Sequence, residues 1–268
     1  MSKDLTKILS GWEHDPDELQ VRLIAGDDGR EKIQMRVDLG LLQMELEGRP
    51  DGAKPHGFTT LLEYHEARVK LASGSGPAEP YTLDAKACGG LMHEGVQFYH
   101  RYLAAFHLQR YDLVARDTAR NLRLFAFAVE HATRQRDRVQ FDQYRPYVTM
   151  MNTRARGLQA LVNNDYPEAL EIIDEGIAGI RKFLEDYDQS ENEAECMELG
   201  FLLRWHRELE RERPVGPVER LEQQLTLAVA LEEYEEAARL RDQLQRLKGD
   251  NPVTVNPEGI ASQSADLP

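Results

Sequence analysis

The sequence predicts a mainly α protein: TPR-like stacked helix pairs, with a small N-terminal three-stranded antiparallel β-meander and a C-terminal helical hairpin. Three observations carry that expectation. Between Leu83 and Glu212 apolar residues recur at helical spacing, in runs of about 25 residues, with no convincing strand between them. Residues 18–47 alternate apolar and polar positions instead. Residues 218–248 carry two apolar stripes with no Gly or Pro to interrupt them. The expected organisation is an α+β portion over 1–72, helical repeats over 81–213, the hairpin over 218–248 and a disordered tail over 249–268.

The chain begins with a short amphipathic helix around Leu5 to Leu9. Leu19, Val21 and Leu23 then point one way, and after Gly26-Asp27-Asp28-Gly29 so do Ile33, Met35 and Val37. Asp28-Gly29 supplies the positive-φ tolerance a tight turn needs, and Leu42, Met44 and Leu46 form a third run. Three strands with one apolar face cap something larger; they do not make a barrel. The Gly26–Lys32 stretch is no phosphate cradle, because it lacks the GxxxxGK[ST] spacing, carries two Asp and feeds a strand. A helix is expected from Phe58 to about Ala72, and Ser73–Pro80 is the best linker candidate.

In the helical region the clearest unit runs from Gly157 and Ala160 through Asn164-Asp165-Tyr166 to Ala169 and Gly176. It resembles a tetratricopeptide repeat, with small residues where two antiparallel helices approach and a tyrosine beside the turn. Arg110-Tyr111-Asp112 is a weaker echo, and Glu233-Tyr234-Glu235-Glu236-Ala237 repeats the layout in the terminal segment. Pro214 and Pro217 stop the preceding helix and set the hairpin on a short hinge.

The first arm of the hairpin carries Leu221, Leu225, Val229 and Leu231; the second carries Tyr234, Ala237, Ala238, Leu240, Leu244 and Leu247. A segment of about 30 residues cannot bury enough surface to stand alone, so it must dock on its own chain, on a copy of itself or on another protein. Leu221-Glu222, then Tyr234-Glu235-Glu236-Ala237-Ala238-Arg239-Leu240-Arg241-Asp242, then Leu247-Lys248 resemble the UVR motif of UvrB and UvrC, with Tyr234 where Phe is usual. The resemblance covers about an eighth of the chain. It implies a protein-interaction module, found also in the kinase activator McsA and in some Clp ATPases, whose partner is a UvrC-like chain, a Clp-type unfoldase or a second copy in a homodimer. The residues it places at the contact are Leu231, Tyr234, Ala237, Ala238, Leu240, Arg241, Asp242 and Leu244. The Glu232–Glu236 cluster, Arg239, Arg241 and Asp242 would set register at the rim. Filing such a chain under nucleotide excision repair would rest on resemblance alone, since the sequence has no Walker motif and no nuclease signature.

A net charge of −14 argues against general nucleic-acid or anionic-membrane binding, which needs clustered Lys and Arg. Only Arg134 to Arg138 hints at a basic face, and a solvated helix end explains it more simply. Mean hydropathy is −0.58. No run approaches a membrane span and the first residues lack a signal-peptide core, so a cytoplasmic protein is expected. Cys88 and Cys196 have no C-x-x-C spacing, which excludes the usual zinc knuckle.

His93, His100 and His107 share one helical face. Seven residues rise about 10.5 Å, however, so no two of them can hold one ion directly. An enzyme or helical metal-binding protein with a site around these three, completed by ligands from other helices, is the alternative function. Phe98, Tyr99, Tyr102 and Phe106 form an aromatic stripe best explained by core packing. No nucleophile lies beside a sequence-level base, and no catalytic residue, cofactor or metal ligand is assigned. The expectation is a non-catalytic interaction or adaptor protein. A third reading packs the hairpin internally and leaves the helix pairs to bind a peptide.

Overall fold

The structure is a computed structural model that describes residues 4–73, 80–214 and 216–249. The chain divides into two compact units, residues 1–211 and 212–268. The expected linker core, residues 74–79, and the expected tail from residue 250 onward lie outside the described residues.

The first unit opens with α1 (Thr6–Leu9), followed by a meander of β1 (Val21–Ala25), β2 (Glu31–Val37) and β3 (Gly40–Glu45) in the order β1-β2-β3. The register places Leu23, Ile33 and Met44 side by side, and Val21, Met35 and Leu42 beside them. Ile33, Met35 and Met44 are buried, so the alternating face is the one the sheet lays on the helices. Leu19 precedes β1 and is exposed. The β1–β2 turn closes through Gly26 N donating to Arg30 O at 2.8 Å, with Gly29 at φ 75°. Asp28 accepts from Arg30 at 2.6 Å and these bonds pull its carboxyl down to about 2.

Seven helices follow among the described residues, α2 (Leu61–Ser73), α3 (Ala85–His107), α4 (Tyr111–His131), α5 (Gln135–Asp142), α6 (Arg145–Val162), α7 (Tyr166–Asp186) and α8 (Met197–Glu212), with α3/α4 and α6/α7 closed by tight turns into helix pairs. The helix expected from Phe58 starts at Leu61, and a 3-10 turn fills the charged break at Ser190–Glu195. One core joins the sheet to α3, α4, α6, α7 and α8, with Ile33, Met44, Tyr102, Val114, Ile173 and Leu202 among its members, and a second joins α2 and α5 to α3, α4 and α6 through Leu62, Phe141, Leu91, Leu124 and Val148. Gly157 matters here because a Cβ would sit 2.6 Å from the Trp205 ring, so the close approach of α6 to that indole requires glycine.

A polar network reinforces the joint between sheet and helices. Arg101, 1% exposed, donates to Asp117 at 2.6 and 2.9 Å and to the carbonyls of Glu45 and Gly48, both at 2.8 Å. One guanidinium thus ties α3, α4, β3 and the loop after β3. Arg116 continues the network to Glu47 at 3.0 Å and to Leu46 O. Glu94, fully buried, accepts from Arg120 and from the backbone N–H groups of Leu61 (2.6 Å) and Leu62 (3.2 Å), which caps the start of α2 from another helix. Burial lowers the Arg120 guanidinium to about 10, which leaves it charged at neutral pH. Arg101 and Arg120 both lie over the ring of Phe98, 4.7 and 4.2 Å from its centroid.

The Arg134–Arg138 cluster is satisfied locally: Arg134 pairs with Asp137 at 2.6 Å and Arg138 donates to Ala132 O. Cys88 is buried and Cys196 half-buried, and both are free thiols. Burial pushes the Cys88 thiol up to about 11, leaving little thiolate at neutral pH.

The second unit is a pair of helices, α9 (Pro217–Ala230) and α10 (Tyr234–Gly249). Pro217 opens α9 at the first helical position, where its missing N–H costs nothing.

Candidate functional site

Three helix pairs close with the same turn. At the end of α3, Gln109 adopts φ 57°, and the N–H of Arg110 donates to Ala105 O at 2.9 Å. At the end of α6, Asn164 adopts φ 59° and Asp165 donates to Ala160 O at 3.0 Å. At the end of α9, Glu232 adopts φ 61° and Glu233 donates to Ala228 O at 2.8 Å. Each is a Schellman closure, a left-handed residue followed by a bond reaching back five positions. Each is followed by a tyrosine opening the next helix (Tyr111, Tyr166, Tyr234) and, three residues later, by a buried Val114, Ala169 or Ala237. The buried alanines Ala105, Ala160 and Ala228 before each turn let the paired backbones approach.

Outside the turn the third pair differs. Tyr111 and Tyr166 pack against the core of the first unit, with Tyr111 edge-on to Phe106 at 5.7 Å. Tyr234 is 68% exposed.

The seam between α9 and α10 is made by Ala228, Ala237 and Leu240, with Leu221 and Leu225 against them, and Leu244 is buried as well. Of the contact residues named from sequence, Ala237, Leu240 and Leu244 are therefore inside the hairpin. Leu231, Tyr234, Ala238, Arg241 and Asp242 are exposed. Three of the eight residues named for the contact thus lie in the seam, and five are exposed. Leu227, outside those eight, is 60% exposed. Its signal was its spacing four residues before Leu231.

Two short apolar stripes thus remain outside the seam, Leu227 with Leu231 and Tyr234 with Ala238, each at i, i+4. Around them lie exposed ion pairs, Arg239–Glu236 at 3.5 Å and Arg241–Asp242 at 3.8 Å. Exposed pairs of this kind add little stability but give a rim its charge pattern.

The three histidines of the alternative function are not gathered into a site. His93 and His107 are exposed and His100 is half-buried. Among the described residues no group of three or more His, Cys, Asp or Glu is placed to hold a metal ion. The aromatic stripe divides too: Phe98 and Tyr102 are buried, while Tyr99 stands on a cavity wall with His100.

Fold and site together define a mainly helical protein with an N-terminal sheet and a terminal helical hairpin bearing uncovered apolar stripes. Residues 217–250 match the family model for the UvrB/uvrC motif, UVR, which spans both helices of that hairpin. A search of curated proteins finds no significant match. A search of solved structures finds none either. Among the described residues no helix is long and apolar enough to cross a membrane.

Proposed function

We propose that this chain is a non-catalytic interaction protein of the cytoplasm, an adaptor that presents its C-terminal hairpin to a partner protein. The observation that carries the reading is Tyr234. The turn followed by a tyrosine occurs three times among the described residues, and in two of them that tyrosine packs against the chain's own core, whereas Tyr234 is 68% exposed. The match to the UVR motif supports the same reading, since that motif is a DNA-repair or protein-interaction module.

The partner that fits best is a like hairpin, from a second copy or from a UvrC-like or Clp-type protein. Leu227, Leu231, Tyr234 and Ala238 would be covered first, with Arg239, Arg241, Asp242 and the Glu232–Glu236 run setting register. Ala237, Leu240 and Leu244 act indirectly, by holding the two helices together. The first unit is then a scaffold of TPR-like helix pairs. A role in excision repair or in protein quality control is the process the motif points to.

Sedimentation equilibrium of the full chain, beside a chain ending at Pro214, tests the like-hairpin form. Self-association that needs residues 215–268 supports a second copy as partner. Two monomeric chains would move the search to a heterologous partner, and equal association of both chains would overturn the role of the hairpin.

A further inference from the structure

We propose that the first unit holds a binding cavity for an uncharged, planar aromatic molecule carrying a hydrogen-bonding group. The cavity has a volume of about 460 Å³ and lies between α3, α4 and the start of α6. That is within the size range of small-molecule sites.

Its walls are rings. Tyr99 meets Tyr102 edge-on, centroids 5.5 Å apart at 90°, and Tyr147 at 6.4 Å; Phe125 and Tyr144 face each other at 6.5 Å. This arrangement offers both faces and edges to a flat π-system. Gly95 lines the cavity as well. A Cβ there would come within 3.1 Å of Leu124, so α3 and α4 approach closely at that point.

Its polar groups are neutral and mostly unspent. None of the lining residues is a carboxylate, lysine or arginine. Asn121 is committed, donating to Gly95 O at 3.0 Å and accepting from Arg120 at 2.9 Å. Tyr102 is 1% exposed, yet its hydroxyl forms no hydrogen bond among the described residues, and the same holds for the hydroxyls of Tyr99 and Tyr147 and for the His100 ring. All four groups line the cavity, so a bound polar atom can reach them and pair with them. Burial also holds the His100 imidazole below its ordinary pKa and so neutral at pH 7. A charged ligand would give up hydration without meeting a counter-charge on the lining.

The shape favours a small molecule over a peptide. A bound strand needs main-chain donors and acceptors along a groove. The exposed mouth residues Val96 and Tyr99 belong to a helix whose backbone groups are paired internally.

Calorimetric titration of the full-length chain with 2-naphthol, 2-naphthoate, 2-naphthylmethylammonium and naphthalene at pH 7 tests the proposal. One 2-naphthol should bind per chain, at least tenfold tighter than either charged analogue. Tyr102→Phe should weaken 2-naphthol about tenfold, leave naphthalene unchanged and not lower the thermal midpoint. Val96→Trp, which closes the mouth, should weaken both neutral ligands. Equal affinity for neutral and charged probes, no binding of any, or unchanged 2-naphthol affinity in Tyr102→Phe would overturn it. Preference for N-acetyltryptophanamide over 2-naphthol would assign the cavity to a peptide side chain and overturn it as well.

Discussion

Asp117→Ala is the perturbation that probes the joint between sheet and helices most sharply. Asp117 and Arg101 are each 1% exposed, and two bonds at 2.6 and 2.9 Å join them. Removing the carboxylate leaves Arg101 with two carbonyl acceptors, Glu45 O and Gly48 O, and no counter-charge in a buried position. Breaking one side of such a pair costs about 3–5 kcal/mol. For a unit of this size each kcal/mol moves the thermal midpoint about 2–4 °C, so a fall of roughly 6–20 °C is expected by circular dichroism. The double variant Arg101→Met/Asp117→Leu removes both charges and should recover most of the loss, because an apolar pair of similar volume is often neutral to stabilising. Arg116 also donates to Asp117, at 3.0 Å, and its alternative acceptors Glu47 and Leu46 O remain in both variants. A midpoint shift below about 2 °C in Asp117→Ala, or a double variant no better than the single, would refute the claim that this pair reinforces the joint.

Three further outcomes follow from the same geometry. Leu240→Ala opens the α9–α10 seam and should cost the hairpin about 2–3 kcal/mol, read as faster amide exchange over residues 217–249, while Leu231→Ala and Tyr234→Ala should stay within about 0.5 kcal/mol. Glu232→Gly should slow that exchange, since Glu232 holds φ 61°, a left-handed conformation that costs a non-glycine residue about 1 kcal/mol. His65 and His100 are both held below the ordinary histidine value near 6.5, first of all by burial. The unfolded chain therefore takes up these protons first, so stability is fully present above the ordinary histidine value and declines as pH falls below it. His65→Gln with His100→Gln should flatten that decline in a pH series of denaturant midpoints.

Much of this fold is legible in the sequence, and the illegible part has a physical cause. The meander is readable because Leu23, Ile33 and Met44 alternate on one buried face, and Asp28-Gly29 names its first turn. The repeated corner is readable because Tyr111, Tyr166 and Tyr234 each follow a turn by one fixed spacing. What one chain cannot show is which partner an apolar stripe meets. Ala237 and Ala238 are neighbours in sequence, yet one lies in the seam and the other outside it. The buried charges are hidden for a different reason: Glu94 meets Arg49 and Arg120, and Arg101 meets the carbonyls of Glu45 and Gly48, across separations of 26 to 56 residues. Their only local sign is a charged residue within an apolar stripe, as Glu94 and Arg101 stand among Leu91, Phe98 and Tyr102. Tyr99 belongs to the same helical stripe as Phe98 and Tyr102, and only the position of α6 sets it on a cavity wall.

The measurement that bears most directly on the proposed role is affinity capture read by mass spectrometry, comparing the wild-type full chain with Leu231→Glu/Tyr234→Glu. Both residues are exposed, so the variant should keep its thermal midpoint. The account predicts that a specific protein, or a second copy of the chain, is recovered with the wild type and lost with the variant. Recovery of the same proteins by both chains would contradict it, and would place any binding surface elsewhere than on the exposed stripes of the hairpin.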